Sequence, residues 1–206
     1  MRDPYLQPYR DAEKTHGNNF EVTLWANKKT QHLRFRIFTE LCYMHGKRIL
    51  DAGCSRGDFA VYLLDSKIDY AKYVGLDGLD DVIQFAKDRN IPRSQFLAGD
   101  FVQDASLLAT TSPQIIAISG TLNTMTDEQA LAVLQNAWDA TSETLIFNFL
   151  SDRVSDKAPK QGWPARRLPT SKILDWAFSQ TPLLTFRQDY FPNGHDATIM
   201  MIKESQ

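Results

Sequence analysis

The chain reads as an α/β protein: a doubly wound, mostly parallel seven-stranded sheet with helices on both faces, a C-terminal antiparallel hairpin and an N-terminal helical arm. Three observations predict it. From residue 48 onward, short apolar runs alternate with amphipathic segments, the pattern of successive right-handed βαβ units. The run at 144–150, Thr-Leu-Ile-Phe-Asn-Phe-Leu, is strongly apolar, as expected of a strand buried on both faces of a parallel sheet. Finally, two apolar stretches flank Asn193-Gly194, and Asn-Gly is a hairpin signal.

Residues 11–27 are polar and irregular apart from Phe20, Leu24 and Trp25, and read as an arm or short helix packed on the rest of the protein, in position to be a lid. Leu33, Phe35, Phe38, Leu41 and Cys42 give 29–44 a helical spacing, stopped at His45-Gly46. Strands follow at 48–52, 73–76, 95–98 and 114–119, separated by helices at 58–64, 80–89 and, briefly, 105–109. A helix at 127–140 leads into the 144–150 strand. Residues 152–170, rich in Lys, Arg, Pro and Ser, read as a loop, followed by a helix at 171–178 and strands at 183–190 and 197–203. One domain is expected over 1–206, with 1–46 as its arm and 47–206 as its Rossmann-like core.

Composition narrows the function. At 206 residues, 43% apolar and 23% charged, the chain is an ordinary globular one, long enough to bury a full sheet. Its formal charge of −2 argues against a protein whose main work is holding nucleic acid. Cys42 and Cys54 form no CxxC pair, so neither a disulfide framework nor a metal site is expected, which fits a reducing cytoplasm. The polar start and the lack of a long apolar run lead to the same expectation of a cytoplasmic protein outside the membrane.

The chemistry concentrates at strand ends. The first strand delivers Asp51 and then turns through Gly53, Cys54, Ser55 and Gly57 into a helix carrying Phe59. Such a turn lets a ligand approach the main chain, and the helix start offers amide donors. A dinucleotide fingerprint requires G-x-G-x-x-G, whose second glycine admits the pyrophosphate. Here the glycines stand as G-x-x-x-G with Ser at 55, which serves a pyrophosphate less well. Twenty residues after Gly57 the second strand ends at Asp77, followed by Gly78 and Leu79, where a carboxylate can hold both hydroxyls of a ribose. The third strand ends in Gly99-Asp100-Phe101 and the fourth in Ser119-Gly120.

The pattern Asp51-Ala52-Gly53-Cys54-Ser55-Arg56-Gly57 resembles the first motif of class I (Rossmann-like) S-adenosylmethionine-dependent methyltransferases. Trp25, Gln31, Arg34 and Phe35 are similar to the W…Q-x-x-R-F pattern of a group of small, uncharacterised bacterial members, and the stretches 119–123, 148–151 and 189–192 also have counterparts there. The resemblance implies S-adenosylmethionine as cofactor and S-adenosylhomocysteine as product. It puts Asp51, Gly53 and the glycine turn around the methionine part, Asp77, Gly78 and Leu79 at the adenosine, and Asp100 and Phe101 at the adenine. Ser119 and Gly120 would line the sulfonium, and Arg34, one helical turn after Gln31, would clamp the methionine carboxylate. Trp25 would cover the cofactor. The sequence departs from the group at 194–198, so no particular acceptor is implied.

For the acceptor, methyl transfer requires alignment and exclusion of water, with a base only where the acceptor holds its proton. His195, Asp196 and Tyr190 are the candidates for catalysis, with His16 and Asn148 behind them. Lys157, Lys160, Arg166, Arg167 and Lys172 could steer an acidic acceptor. The expectation is methyl transfer to a small-molecule acceptor, with no membrane or nucleic-acid partner. The alternatives are a nicotinamide-dependent oxidoreductase and a non-catalytic S-adenosylmethionine-binding domain. The oligomeric state is open, a homodimer included.

Overall fold

A computed structural model describes residues 4–204 of the chain. Seven strands form one sheet: β1 (Arg48–Ala52), β2 (Lys72–Asp77), β3 (Ser94–Ala98), β4 (Ile115–Ser119), β5 (Thr144–Leu150), β6 (Leu184–Arg187) and β7 (Asp196–Ile202). Their order is β3-β2-β1-β4-β5-β7-β6. The first five are mutually parallel, and β7 lies antiparallel between β5 and β6. The helices are α1 (Gln7–His16), α2 (Lys28–Leu41), α3 (Asp58–Asp65), α4 (Asp80–Asp88), α5 (Asp127–Ala140) and α6 (Thr170–Gln180).

Alternation along the strands sorts side chains onto two faces. On one, Ile49, Tyr73, Ala117 and Ile146 pack against Phe35 and Phe38 of α2, Phe59 and Leu63 of α3 and Ile83 of α4. On the other, Leu50, Val74, Ile116 and Phe147 pack against Val133 and Leu134 of α5 and Ile173 of α6. Burying one such side chain contributes about 1.5–3 kcal/mol, so both layers are strongly held. Strand β5 is buried along its whole length because it has neighbours on both edges and helices on both faces.

Local chemistry sets the helix ends. Asn27 caps α2, its side chain accepting from the Thr30 amide at 3.0 Å. Thr126 and Gln129 form a reciprocal capping box at the start of α5. In α4, Asp80 and Asp81 stand in the first turn, where negative charge is favoured.

Three boundaries differ from the sequence expectation. The arm is not irregular throughout: α1 forms over Gln7–His16, then a single 3-10 turn over Phe20–Thr23. Helix α2 stops at Leu41, because Cys42 adopts an extended backbone and its amide still bonds Phe38, so the glycine at 46 shapes the turn into β1 instead. The final hairpin is not a two-residue turn. Strand β6 ends at Arg187, and Asn193-Gly194 lies in a 3-10 turn inside the wide 188–195 loop, both residues at positive φ. Among the described residues no helix is long and apolar enough to cross a membrane.

The capping box is a local test of this fold. Thr126→Ala should lower the unfolding free energy by about 1 kcal/mol, read as a lower urea midpoint at unchanged slope.

Candidate functional site

The carboxyl ends of β1 to β4 open onto a cavity of about 350 Å³. It lies where the chain, having stepped outward from β1 to β3, returns to place β4 on the other side of β1. Open α/β sheets bind ligands at such a switch point.

Two glycines make the floor possible. Gly53 has φ of +84°, and a Cβ there would fall 2.0 Å from the Thr121 hydroxyl oxygen, so the turn after β1 tolerates no side chain. Gly120 has φ of +77°, and a Cβ would meet the Trp25 ring at 2.4 Å, so β4 ends directly beneath that indole.

Asp77, at the end of β2, is on the wall. One carboxylate oxygen accepts from the Ser55 amide at 2.8 Å and the other from the Leu79 amide at 3.1 Å. Burial pushes its carboxyl up to about 6, against the pull of these amide donors. With roughly four lone-pair sites on a carboxylate, some stay free for a ligand. Asp100 is engaged further. It accepts from the Tyr5 hydroxyl at 2.7 Å and from the Val102 and Gln103 amides at 3.0 and 3.4 Å, leaving about one site.

Asp51 is on the opposite face. The strand alternation that points Leu50 and Ala52 one way turns Asp51 into the α2–α3 layer, where the Tyr73 hydroxyl donates to it. Burial pushes it up to about 7, partly offset by that bond and reinforced by Asp77 and Asp58. Asn148 also turns away from a ligand role: its side-chain oxygen accepts from the Gly120 amide at 2.8 Å and its amide donates to the Ser119 hydroxyl at 3.1 Å, propping the end of β4.

Arg34 sits on the wall, but the edge expected to clamp a cofactor carboxylate is occupied. Its Nε and Nη2 donate to Asp196 at 2.8 and 2.5 Å, and Nη1 donates to the Thr30 carbonyl at 3.1 Å. The guanidinium lies between the Trp25 and Phe191 rings, 4.3 and 4.4 Å from their centroids. Asp196 and Tyr190, proposed for catalysis from the sequence, are committed to this buried cluster: the Tyr190 hydroxyl donates to Asp196 at 2.6 Å, and burial beside that carboxylate raises the phenol.

Of the residues expected at the site, Trp25, Arg34, Gly53, Ser55, Asp77, Gly78, Leu79, Gly99, Asp100, Phe101, Ser119, Gly120 and His195 line the cavity. Gln31, Asp51, Cys54, Gly57, Phe59, Tyr190 and Asp196 do not, being turned into the core or supporting the wall from behind. His16, at the exposed end of α1, is also off it. The sequence reading missed Tyr5, Leu6 and Tyr9, which roof the cavity from the arm, and Thr124 and Met125 beyond β4; Trp163 and Pro164, whose pairing in the sequence suggests an ordered lid, line the cavity within the 161–165 loop, with Trp163 81% exposed. Tyr5, Tyr9 and Ala12 recur at helical spacing and could have revealed the first of these groups. Burial pushes the Tyr9 phenol up to about 12. Among the described residues no group of His, Cys, Asp or Glu is placed to hold a metal ion.

Residues 49–143 match the family model of a methyltransferase domain. No curated protein matches the chain. Among solved structures, a magnesium protoporphyrin IX methyltransferase from Synechocystis PCC 6803, with bound S-adenosylhomocysteine, aligns over 98% of this chain and 97% of its own at a TM-score of 0.67 and 13% identity. A phosphoethanolamine N-methyltransferase from Haemonchus contortus, in complex with phosphoethanolamine and S-adenosylhomocysteine, aligns over 99% of this chain and 49% of its own at 0.73 and 13%. An S-adenosylmethionine-dependent methyltransferase from Aquifex aeolicus aligns over 94% and 97% at 0.59 and 13%. At these identities the structural likeness is one of fold.

Removing one partner of the Arg34–Asp196 pair leaves a buried charge alone. Arg34→Met should therefore cost about 3–5 kcal/mol of stability, and adding Asp196→Asn should restore part of it, measured by chemical denaturation. For Asp51 the sign follows from its raised carboxyl. An unfolded Asp releases its proton near about 3.9, whereas the native group holds it up to about 7. Its contribution to stability is thus full below about pH 4 and is lost as the pH rises to about 7. Asp51→Asn should remove this dependence, so that wild type loses stability relative to the variant, on the order of a few kcal/mol, between pH 4 and 8.

Proposed function

We infer that this chain, a class I S-adenosylmethionine-dependent methyltransferase whose family match spans residues 49–143, transfers the methyl group to a small-molecule acceptor bound where the 161–165 loop, Phe191 and His195 meet the cavity. The observation that carries this reading is the pair of carboxylates, Asp77 and Asp100, closing β2 and β3 on the cavity wall with lone pairs to spare. Such acceptors suit the hydroxyls of a ribose and the amine of an adenine.

S-adenosylmethionine supplies a methyl group made electrophilic by its positively charged sulfur. The protein's share is binding, orientation and exclusion of water. Asp77 takes the ribose hydroxyls, and Asp100, with Phe101 and Val102, takes the adenine. Gly53, Ser55, Ser119 and Gly120 face the methionine part. The arm acts as a lid on a single domain: Tyr5, Leu6, Tyr9 and Trp25 already stand over the cavity and would keep water from the reacting atoms.

On the acceptor side, His195 is the one of the three sequence candidates that lines the cavity. The Synechocystis and Haemonchus neighbours bear the names of small-molecule methyltransferases, which supports a small acceptor. The net charge of −2 speaks against nucleic acid, and two free buried cysteines are consistent with a cytoplasmic setting. The G-x-x-x-G spacing at 53–57 disfavours the nicotinamide alternative.

Calorimetry with S-adenosylmethionine, S-adenosylhomocysteine and NAD tests the reading, and tight NAD binding without S-adenosyl binding would overturn it. Asp77→Ala should weaken S-adenosylhomocysteine binding by about 1.5–3 kcal/mol in a folded protein. Because the Asp77 carboxyl stands at about 6, wild-type affinity should fall as the pH is lowered through that value, protonation removing the charged acceptor. The variant should lack this step.

A further inference from the structure

His195 lines the cavity, and Arg167, which does not, pairs with it from behind. A guanidinium has only donors. Its Nη2 lies 3.2 Å from Nδ1 of His195, so Nδ1 must be the accepting nitrogen and the imidazole proton must sit on Nε2. The remaining Arg167 bonds go to main-chain carbonyls: Nη1 donates to Ser151 at 2.8 Å and His195 at 3.1 Å, and Nη2 donates to Pro159 at 2.9 Å. These contacts tie the end of β5, the 152–170 loop and the residue before β7 to one side chain.

Every one of those partners is uncharged. Asp196, the acid whose charge acts on Arg167, is committed to Arg34 and Tyr190. The Arg167 charge therefore has no carboxylate partner among the described residues, and its donation to Nδ1 polarises the imidazole and strengthens Nε2–H as a donor. Burial, aided by Arg167 and Arg34 and opposed by Asp196, pushes His195 below the usual histidine value, keeping the ring neutral near pH 7. Nε2 has no protein partner among the described residues, and the ring is on the cavity wall. Two acids, Asp77 and Asp100, line the same cavity at the ends of β2 and β3, whereas His195 brings to it an imidazole backed by the Arg167 cation.

We propose that Arg167 is a positioning residue that fixes His195 as a hydrogen-bond donor through Nε2, and that this donor recognises an ionised oxygen on the acceptor, such as a carboxylate. His195 then binds and orients the acceptor and takes no proton from it. This rests on the methyltransferase reading above and specifies its acceptor class. A sulfonium in the neighbouring part of the cavity would add to the positive field and favour the same choice.

The test uses the full chain saturated with S-adenosylhomocysteine, whose binding is verified first by calorimetry. Loss of that binding would count against the cofactor assignment and leave the tautomer result to stand by itself. Nitrogen NMR of histidine-labelled protein, with His195 assigned by His195→Gln, should show Nε2 protonated and Nδ1 bare near neutral pH, and Arg167→Met should mix the two forms. Benzoate titrated into the S-adenosylhomocysteine complex should bind at least about tenfold more tightly than benzylamine. His195→Gln, which keeps an N–H donor, should stay within about threefold of wild type, while His195→Phe should weaken benzoate at least about tenfold. A proton on Nδ1, preference for the amine, or equal benzoate affinity in wild type and His195→Phe would each overturn the proposal. So would equal loss in the Gln and Phe variants.

Discussion

The ion pair between Arg34 and Asp196 joins residues 162 positions apart and holds together the two ends of the chain that complete the cavity. Helix α2 contributes the cation and the first residue of β7 the anion. Burying both charges carries a desolvation cost that their attraction offsets only when the geometry is good and the other polar atoms are satisfied. Both conditions hold here: three guanidinium nitrogens donate, and the Tyr190 hydroxyl donates to the second carboxylate oxygen of Asp196. Trp25 and Phe191 stack on the two faces of the guanidinium, and the Trp25 ring in turn fixes how closely the chain can pass at Gly120.

Around that anchor the sheet divides the labour. Strands β1 to β4 end in small residues and acids, and their parallel direction puts all four ends on the same edge. The antiparallel β7 brings the chain back so that its beginning, rather than its end, reaches that edge, which is why His195 and Asp196 stand beside the ends of β4 and β5. The cavity is therefore built from local turns on one side and from long-range loop packing on the other. Bonds from Ser155 to Asn193 and from Gln188 to the Arg153 carbonyl join the two loops of that second side.

Parallel-sheet architecture was legible because it depends on period and composition. The apolar 144–150 run marks its element without help from the rest of the chain. The same holds for the acid at the end of β2 and the glycine turn after β1, since a carboxylate at a strand end and a positive-φ position are local requirements. Asp51 shows the limit of that logic: its place at a strand end was right, yet the two-residue alternation turns its carboxylate to the far face, onto Tyr73.

What the sequence by itself determined is the order of strands and helices along the chain and the identity of the groups at the carboxyl ends of β1 to β4, because neighbours in sequence create both. Only the tertiary structure decided the roof of the cavity and the corner around His195. Tyr5 reaches Asp100 across 95 positions, Arg167 meets His195 across 28, and Arg34 spends its bidentate edge on Asp196. Partners so distant are selected by packing and by the need to satisfy buried charge, and neither leaves a periodic trace in the chain.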